Sequence, residues 1–168
     1  MPGKVLVLGI DPGTLVTGFG LVEQDEDGMR ILAWSSVSSP SSVPLAERLS
    51  RIHAEAVRLM ELHRPDEVAV ENVFHSKNAK SALTLGHARG VTLLAAAQAR
   101  IPIFEYAPRE VKLSVVGNGN ASKQQVASMV GRILDLSCEG LREDESDAVA
   151  VAICHLHKRG AKVARGTT

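Results

Sequence analysis

Four carboxylates in this chain stand where ionised groups are costly to keep. Asp11 ends the apolar run VLVLGID, Glu71 ends a second run, EVAVE, and Asp144 and Asp147 lie three apart at the head of a helix of small residues. An ionised carboxylate removed from water is unfavourable unless a cation compensates it. Singly, each acid has a structural reading. Asp11 before Pro12 and Gly13 is a turn residue, and Glu71 before Asn72 marks a strand exit. Acids in a first helical turn gain roughly 0.3–1 kcal/mol from the helix macrodipole.

Together they point to chemistry. Asp144 and Asp147 share one helix face, which continues through Ala148, Val151 and Ala152 into the core, whereas Glu143 and Glu145 are expected to point elsewhere. Two acids on a core-facing stripe repel each other unless a cation lies between them. Mg2+ suits such a site, because it prefers oxygen ligands, retains several waters and takes few protein carboxylates beside substrate phosphate. Two ions about 3.5–4 Å apart would balance four carboxylates and support phosphodiester hydrolysis, one activating water and one stabilising the leaving 3′ oxygen. No Ser-His-Asp elbow or reactive-cysteine pattern competes.

The elements that must position these acids follow from periodicity. Residues 4–11 form an apolar run of strand length, 17–23 resume strand character after the Pro-Gly turn, and the Asp25-Glu26-Asp27-Gly28 turn leads into 29–37, predicting a three-stranded antiparallel meander. Leu45, Leu49, Ile52, Ala56 and Leu59 predict an amphipathic helix ending before Pro65. Residues 67–71 form a short buried strand, 78–100 contain a long helix, 103–106 a fifth strand and 109–116 a short helix. Ser122 with Gln125 has the form of a capping box opening a helix to about 134, and a last helix is expected over 144–157. Gly86 and Gly90 weaken the long helix but let another backbone approach. The order of elements predicts an α/β domain with a five-stranded mixed sheet flanked by helices, over 1–158, followed by a polar, flexible tail over 159–168.

Nineteen basic and nineteen acidic residues give formal neutrality, which at first argues against a nucleic-acid partner. Neutralising four carboxylates with metal leaves the remaining surface four charges positive. Cys138 and Cys154 lack zinc-site spacing and read as structural thiols of a reducing compartment. No apolar run approaches the roughly 20 residues of a membrane helix, so the expected location is cytoplasmic.

Four blocks, LGIDPGT with GFG, VAVENVFHSKNAKSALTLGHARGV, FEYAPREVKLSVVGNGNASKQQV and DESDAVAVAICHLH, resemble in sequence and order the RuvC family of bacterial Holliday-junction resolvases. That resemblance implies a ribonuclease H-like fold and a homodimeric, Mg2+-dependent endonuclease acting in recombination and DNA repair. Such an enzyme nicks two like-polarity strands of a four-way DNA junction symmetrically. Two Mg2+ ions per site, replaceable by Mn2+, and coupling to the RuvA and RuvB branch-migration proteins are implied in the same way.

By motif, Asp11, Glu71, Asp144 and Asp147 are the catalytic metal ligands. Phe74 falls at an aromatic position thought to stack on junction bases, though a core role stays open. Lys112 and Lys123 match lysines near the scissile phosphates, and Lys77, Lys80, Arg89 and Arg109 are further candidates for backbone contact. Leu15 stands where some relatives carry a basic residue. For His155 a buried, hydrogen-bonded histidine is the preferred reading over a metal ligand. The competing classes are an actin-like-fold ATP-binding protein, for which the chain is short and lacks a second phosphate loop, a non-catalytic junction-binding scaffold, and an RNA-processing nuclease of the YqgF type, which the 112–123 block disfavours.

Overall fold

The computed structural model of the chain describes residues 3–72, 78–136 and 140–164. Its first three strands, β1 (Val5–Asp11), β2 (Val16–Gln24) and β3 (Met29–Ser38), form the expected antiparallel meander. Helix α1 (Leu45–His63) follows, then β4 (Glu67–Glu71), α2 (Ala79–Gln98), β5 (Ile103–Tyr106), α3 (Pro108–Val116), α4 (Lys123–Ile133) and α5 (Glu143–Ala164). β4 adds parallel to β1 and β5 parallel to β4, giving one mixed sheet in the order β3-β2-β1-β4-β5.

Strand alternation divides the core into two layers. Leu8, Ile10, Phe19, Leu21, Val68 and Val70 face α1 and α2, meeting Ile52, Ala56, Leu59, Ala88, Ala95 and Ala96. Val5, Val7, Val22, Ala69 and Tyr106 face the other way, onto α3, α4 and α5. Asp11 and Glu71 keep the parity of this second set. Both therefore project on the α5 side of the sheet, at the carboxyl ends of neighbouring parallel strands.

Helix boundaries follow local chemistry. Asn78 caps α2 by accepting a 2.8 Å bond from the Lys80 backbone N–H. Ser122 and Gln125 form the reciprocal capping box anticipated from their spacing, at 3.2 and 2.8 Å. α1 ends on Arg64 in the left-handed conformation before Pro65. The C-terminal helix departs from expectation. It starts at Glu143 and continues through the polar stretch to Ala164, so the tail anticipated from 159 begins as helix.

α5 lies directly on the sheet because β1 and β2 present glycine beneath it. A Cβ at Gly9 would stand 2.1 Å from the Ala148 carbonyl oxygen, at Gly18 1.9 Å from that of Asp144, and at Gly20 2.4 Å from Val149 Cγ2. Strand glycines commonly mark such close approach of another backbone. Here three of them set the height of the helix that carries Asp144 and Asp147.

Candidate active site

Asp11 and Glu71 stand one residue beyond Ile10 and Val70, the last positions at which β1 and β4 pair with each other, and their side chains share a hydrogen bond. The turn behind Asp11 is fixed from within. Thr17, fully buried, donates its hydroxyl to the Gly13 carbonyl at 2.6 Å and accepts from the Gly13 N–H at 3.1 Å. Arg48 on α1 donates to the carbonyls of Thr14 and Val43, tying this turn to the loop before α1.

A cleft of about 280 Å³ opens at this edge, lined by Asp11, Glu71 and Asp147 together with Pro12, Leu85, Lys112 and Lys123 and closed below by Val111, Val126 and Ala150. Its electrostatics are those of carboxylates crowded together and withdrawn from water. Burial raises the Asp11 carboxyl well above its ordinary range, and repulsion from Glu71 and Asp147 raises it further. Glu71 is also raised by burial, while the bond from Asp11 and the ammonium groups of Lys123 and Lys112 oppose the rise. Asp11 is thus the more strongly raised of the two, through burial and its acidic neighbours. Asp147 is raised by burial and lowered by Lys123, whose Nζ stands 3.2 Å from Oδ2.

Three of the four acids singled out in the sequence therefore converge. Asp144, one turn before Asp147, is half-buried with its backbone over Gly18, and it is absent from the described residues lining the cleft. Among the described residues no three His, Cys, Asp or Glu side chains enclose an ion by themselves. The donor set nonetheless fits a hard divalent cation. It is all carboxylate, its burial and mutual repulsion would be relieved by a cation, and a lysine ammonium already leans on it.

The acids flanking the pair differ from expectation in one respect. Glu143 does face outward, against Lys123 at 2.6 Å. Glu145, expected to point away from the core, is buried. It accepts a 3.0 Å bond from the Ser36 hydroxyl and a 2.9 Å bond from the Arg142 N–H. The physical reason is a capping role, since Arg142 precedes α5 and Glu145 closes its open first turn.

The candidate DNA contacts separate by environment. Lys112 and Lys123 line the cleft. Lys80 is exposed at the start of α2, and Arg109 is exposed on α3 with its stem packed over Gly119. Arg89 is committed to an ion pair with Glu105, its Nε 2.7 Å from the carboxylate. Phe74 and Lys77 lie outside the described residues, as does Cys138. Cys154 is buried and free of a disulfide.

His155 belongs to a separate buried group. Its Nδ1 lies 2.6 Å from the Tyr106 hydroxyl and its Nε2 2.5 Å from Glu67, which Arg159 also approaches at 3.3 Å. Glu67 begins β4 and Glu71 ends it, so this chain anchors α5 at the end of the strand remote from the cleft. Sequence reasoning reached His155 but not its partners. The alternation E-V-A-V-E, which puts Glu67 and Glu71 on one face, was the available signal.

Comparison with known proteins agrees with this architecture. A family model described as crossover junction endodeoxyribonuclease RuvC matches residues 7–155. The crossover junction endodeoxyribonuclease RuvC of Pelotomaculum thermopropionicum is 46% identical over 153 residues, covering 91% of this chain and 93% of that protein. The corresponding protein of Dehalococcoides mccartyi is 47% identical over 153 residues, covering 91% and 92%. The structure of T. thermophilus RuvC in complex with Holliday junction substrate superposes with a TM-score of 0.86 at 35% identity, covering 92% of this chain and 94% of that one. The yeast mitochondrial Holliday junction resolvase Ydc2, at 16% identity and a TM-score of 0.65, shares the fold. With strand order, acidic cleft and near full-length similarity in agreement, the chain belongs to the RuvC family of crossover junction endodeoxyribonucleases.

Proposed function

We propose that the cleft between β1, β4 and α5 hydrolyses phosphodiester bonds of four-way junction DNA, nicking two like-polarity strands at symmetric positions. The observation that carries this reading is the convergence of Asp11, Glu71 and Asp147 beside Lys112 and Lys123 in one open cleft. A carboxylate centre rimmed by ammonium groups suits a phosphate backbone held against divalent cations.

Asp11, Glu71 and Asp147 would hold the ions, with Asp144 supplying a further carboxylate from the same helical turn. Mg2+ is the proposed metal, two ions per site, with Mn2+ as a substitute. When bound, these ions supply charge stabilisation at the scissile phosphate and an activated water. Lys112 and Lys123, lining the same cleft, would orient the phosphate. A cation on Asp11 would compete with the protonated form that burial favours there. Lys80 and Arg109, both exposed, extend the positive surface away from the cleft, and Phe74 and Lys77 remain candidates from sequence alone.

Symmetric nicking needs two sites, and α2 offers a face for a second copy. Leu83 and Leu94 are 65% and 50% exposed, and with Gly86 and Gly90 they form one stripe along the helix. A Cβ at either glycine would meet nothing within 4 Å, so the close approach those glycines permit is left open within the chain. We propose a homodimer through this stripe, in which two-fold symmetry matches two clefts to two strands. Coupling to RuvA and RuvB is proposed on family membership. No described helix is long and apolar enough to cross a membrane.

The test is incubation of the purified protein with a mobile four-way junction and Mg2+ or Mn2+, mapping cuts on all four strands. Paired nicks at matching positions on two like-polarity strands, resealable by ligase, are expected. Binding without cutting under both metals would favour the scaffold reading, and cuts scattered along linear duplex would remove junction specificity.

A further inference from the structure

Among the described residues, the cationic group paired with the acidic centre is Lys123. Lys123 opens α4 and reaches across to α5, where its Nζ lies 2.6 Å from Glu143 Oε1 and 3.2 Å from Asp147 Oδ2. Glu143 and Asp147 are four apart on one face of α5, so a single ammonium with three protons spans both. The two partners face different surroundings. The Glu143 side chain is 65% exposed, while that of Asp147 is 20% exposed and turned into the cleft.

A divalent ion on Asp147 and an ammonium 3.2 Å from the same carboxylate are in conflict, since like charges at that range repel and compete for the same lone pairs. For the site to load, Lys123 must leave Asp147. Without another anchor its flexible stem would release the charge into solvent, and the cleft would lose a phosphate contact as it gained a metal. Glu143 already holds the same ammonium at the rim, by the shorter of the two contacts.

We infer that Glu143 is a positioning residue for Lys123: it retains the ammonium at the edge of the cleft when a divalent cation takes Asp147, which eases metal entry and keeps Lys123 available for phosphate. This rests on the proposed reading of Asp147 as a metal ligand. It also gives a role to an acid that, by charge alone, should only repel DNA.

The test is calorimetric titration of Mn2+ into the DNA-free, full-length protein, comparing wild type, Glu143→Gln, Lys123→Met and the double variant. Glu143→Gln should weaken Mn2+ binding, and Lys123→Met should strengthen it, each by about two- to fivefold, the range of partly exposed ion pairs. Because Glu143 acts through Lys123, the double variant should bind like Lys123→Met alone. An equal loss from Glu143→Gln with and without Lys123 would mean that Glu143 acts on the ion only through space, and would overturn the inference. Asp147→Asn separates the two levels. If it binds Mn2+ as wild type does, the ligand reading of Asp147 fails, whatever the cycle gives.

Discussion

Gly18 of β2 lies directly beneath Asp144 of α5, with no room for a methyl group between the strand and the helix: an added Cβ would sit 1.9 Å from the Asp144 carbonyl oxygen. The contact is with backbone, so it cannot be relieved by a rotamer change. Gly18→Ala should therefore lift the first turns of α5 from the sheet and carry Asp144 and Asp147 away from Asp11. Overpacking of this kind destabilises by about 1–3 kcal/mol. Denaturant melts should show that loss. Junction cleavage should fall much more than junction binding, because the lysines on α3 and α4 stay in place. Wild-type cleavage by Gly18→Ala would refute the placement of α5 as the determinant of the site.

Asp11 makes the stability of the metal-free protein depend on pH. Its carboxyl is raised above the ordinary value of 3.8, chiefly by burial and then by Glu71 and Asp147. A raised group gives its full stabilisation below the unfolded value, and loses it as pH climbs to the raised folded value. In chelator, the melting temperature should fall over that window. Added Mg2+ should recover more stability at higher pH, where the proton it displaces is already gone. Asp11→Asn should flatten the chelator profile, abolish cleavage and largely retain junction binding. Full cleavage by that variant would remove Asp11 from the ligand set.

Much of this was legible in the chain because strand and helix periods are local. The meander and the capping box at Ser122 follow from spacings of a few residues. What escaped is where one element presses on another. Gly9, Gly18 and Gly20 fall within the predicted strands, and only the docked helix shows why side chains are excluded there. Glu145 read as a solvent acid because its bond to Ser36 spans more than a hundred residues of sequence. The partners of His155, Tyr106 and Glu67, come from two different strands and have no sequence signature together.

Lys112, matched to lysines near the scissile phosphates, and Arg89, a further candidate for backbone contact, are separated by their surroundings. Lys112 lines the cleft, whereas Arg89 spends its guanidinium on Glu105. Replacing a lysine that neutralises one phosphate lowers the slope of log affinity against log salt by about 0.9. Lys112→Ala should show that decrease in junction-binding titrations across salt concentrations. Arg89→Ala should leave the slope near wild type and change the local stability of α2 against β5. Equal slopes for wild type and Lys112→Ala would count against phosphate contact in the cleft.

The glycines of α2 allow the proposed dimer to be tested by a substitution with opposite effects on chain and assembly. In an isolated helix, replacing Gly by Ala gains up to about 1 kcal/mol per site. Gly86 and Gly90 have open space for the added methyl, so each change should leave the fold intact or more stable at low protein concentration. If a second copy packs along Leu83, Gly86, Gly90 and Leu94, the same methyls stand in the interface and weaken association. Sedimentation equilibrium of Gly86→Ala/Gly90→Ala should show a shift from dimer to monomer, with denaturant stability of the monomer undiminished. Because each monomer still carries a complete cleft, junctions should then be nicked singly and the paired, resealable product lost. A variant that remains dimeric with tight association would place the interface on another face of the molecule.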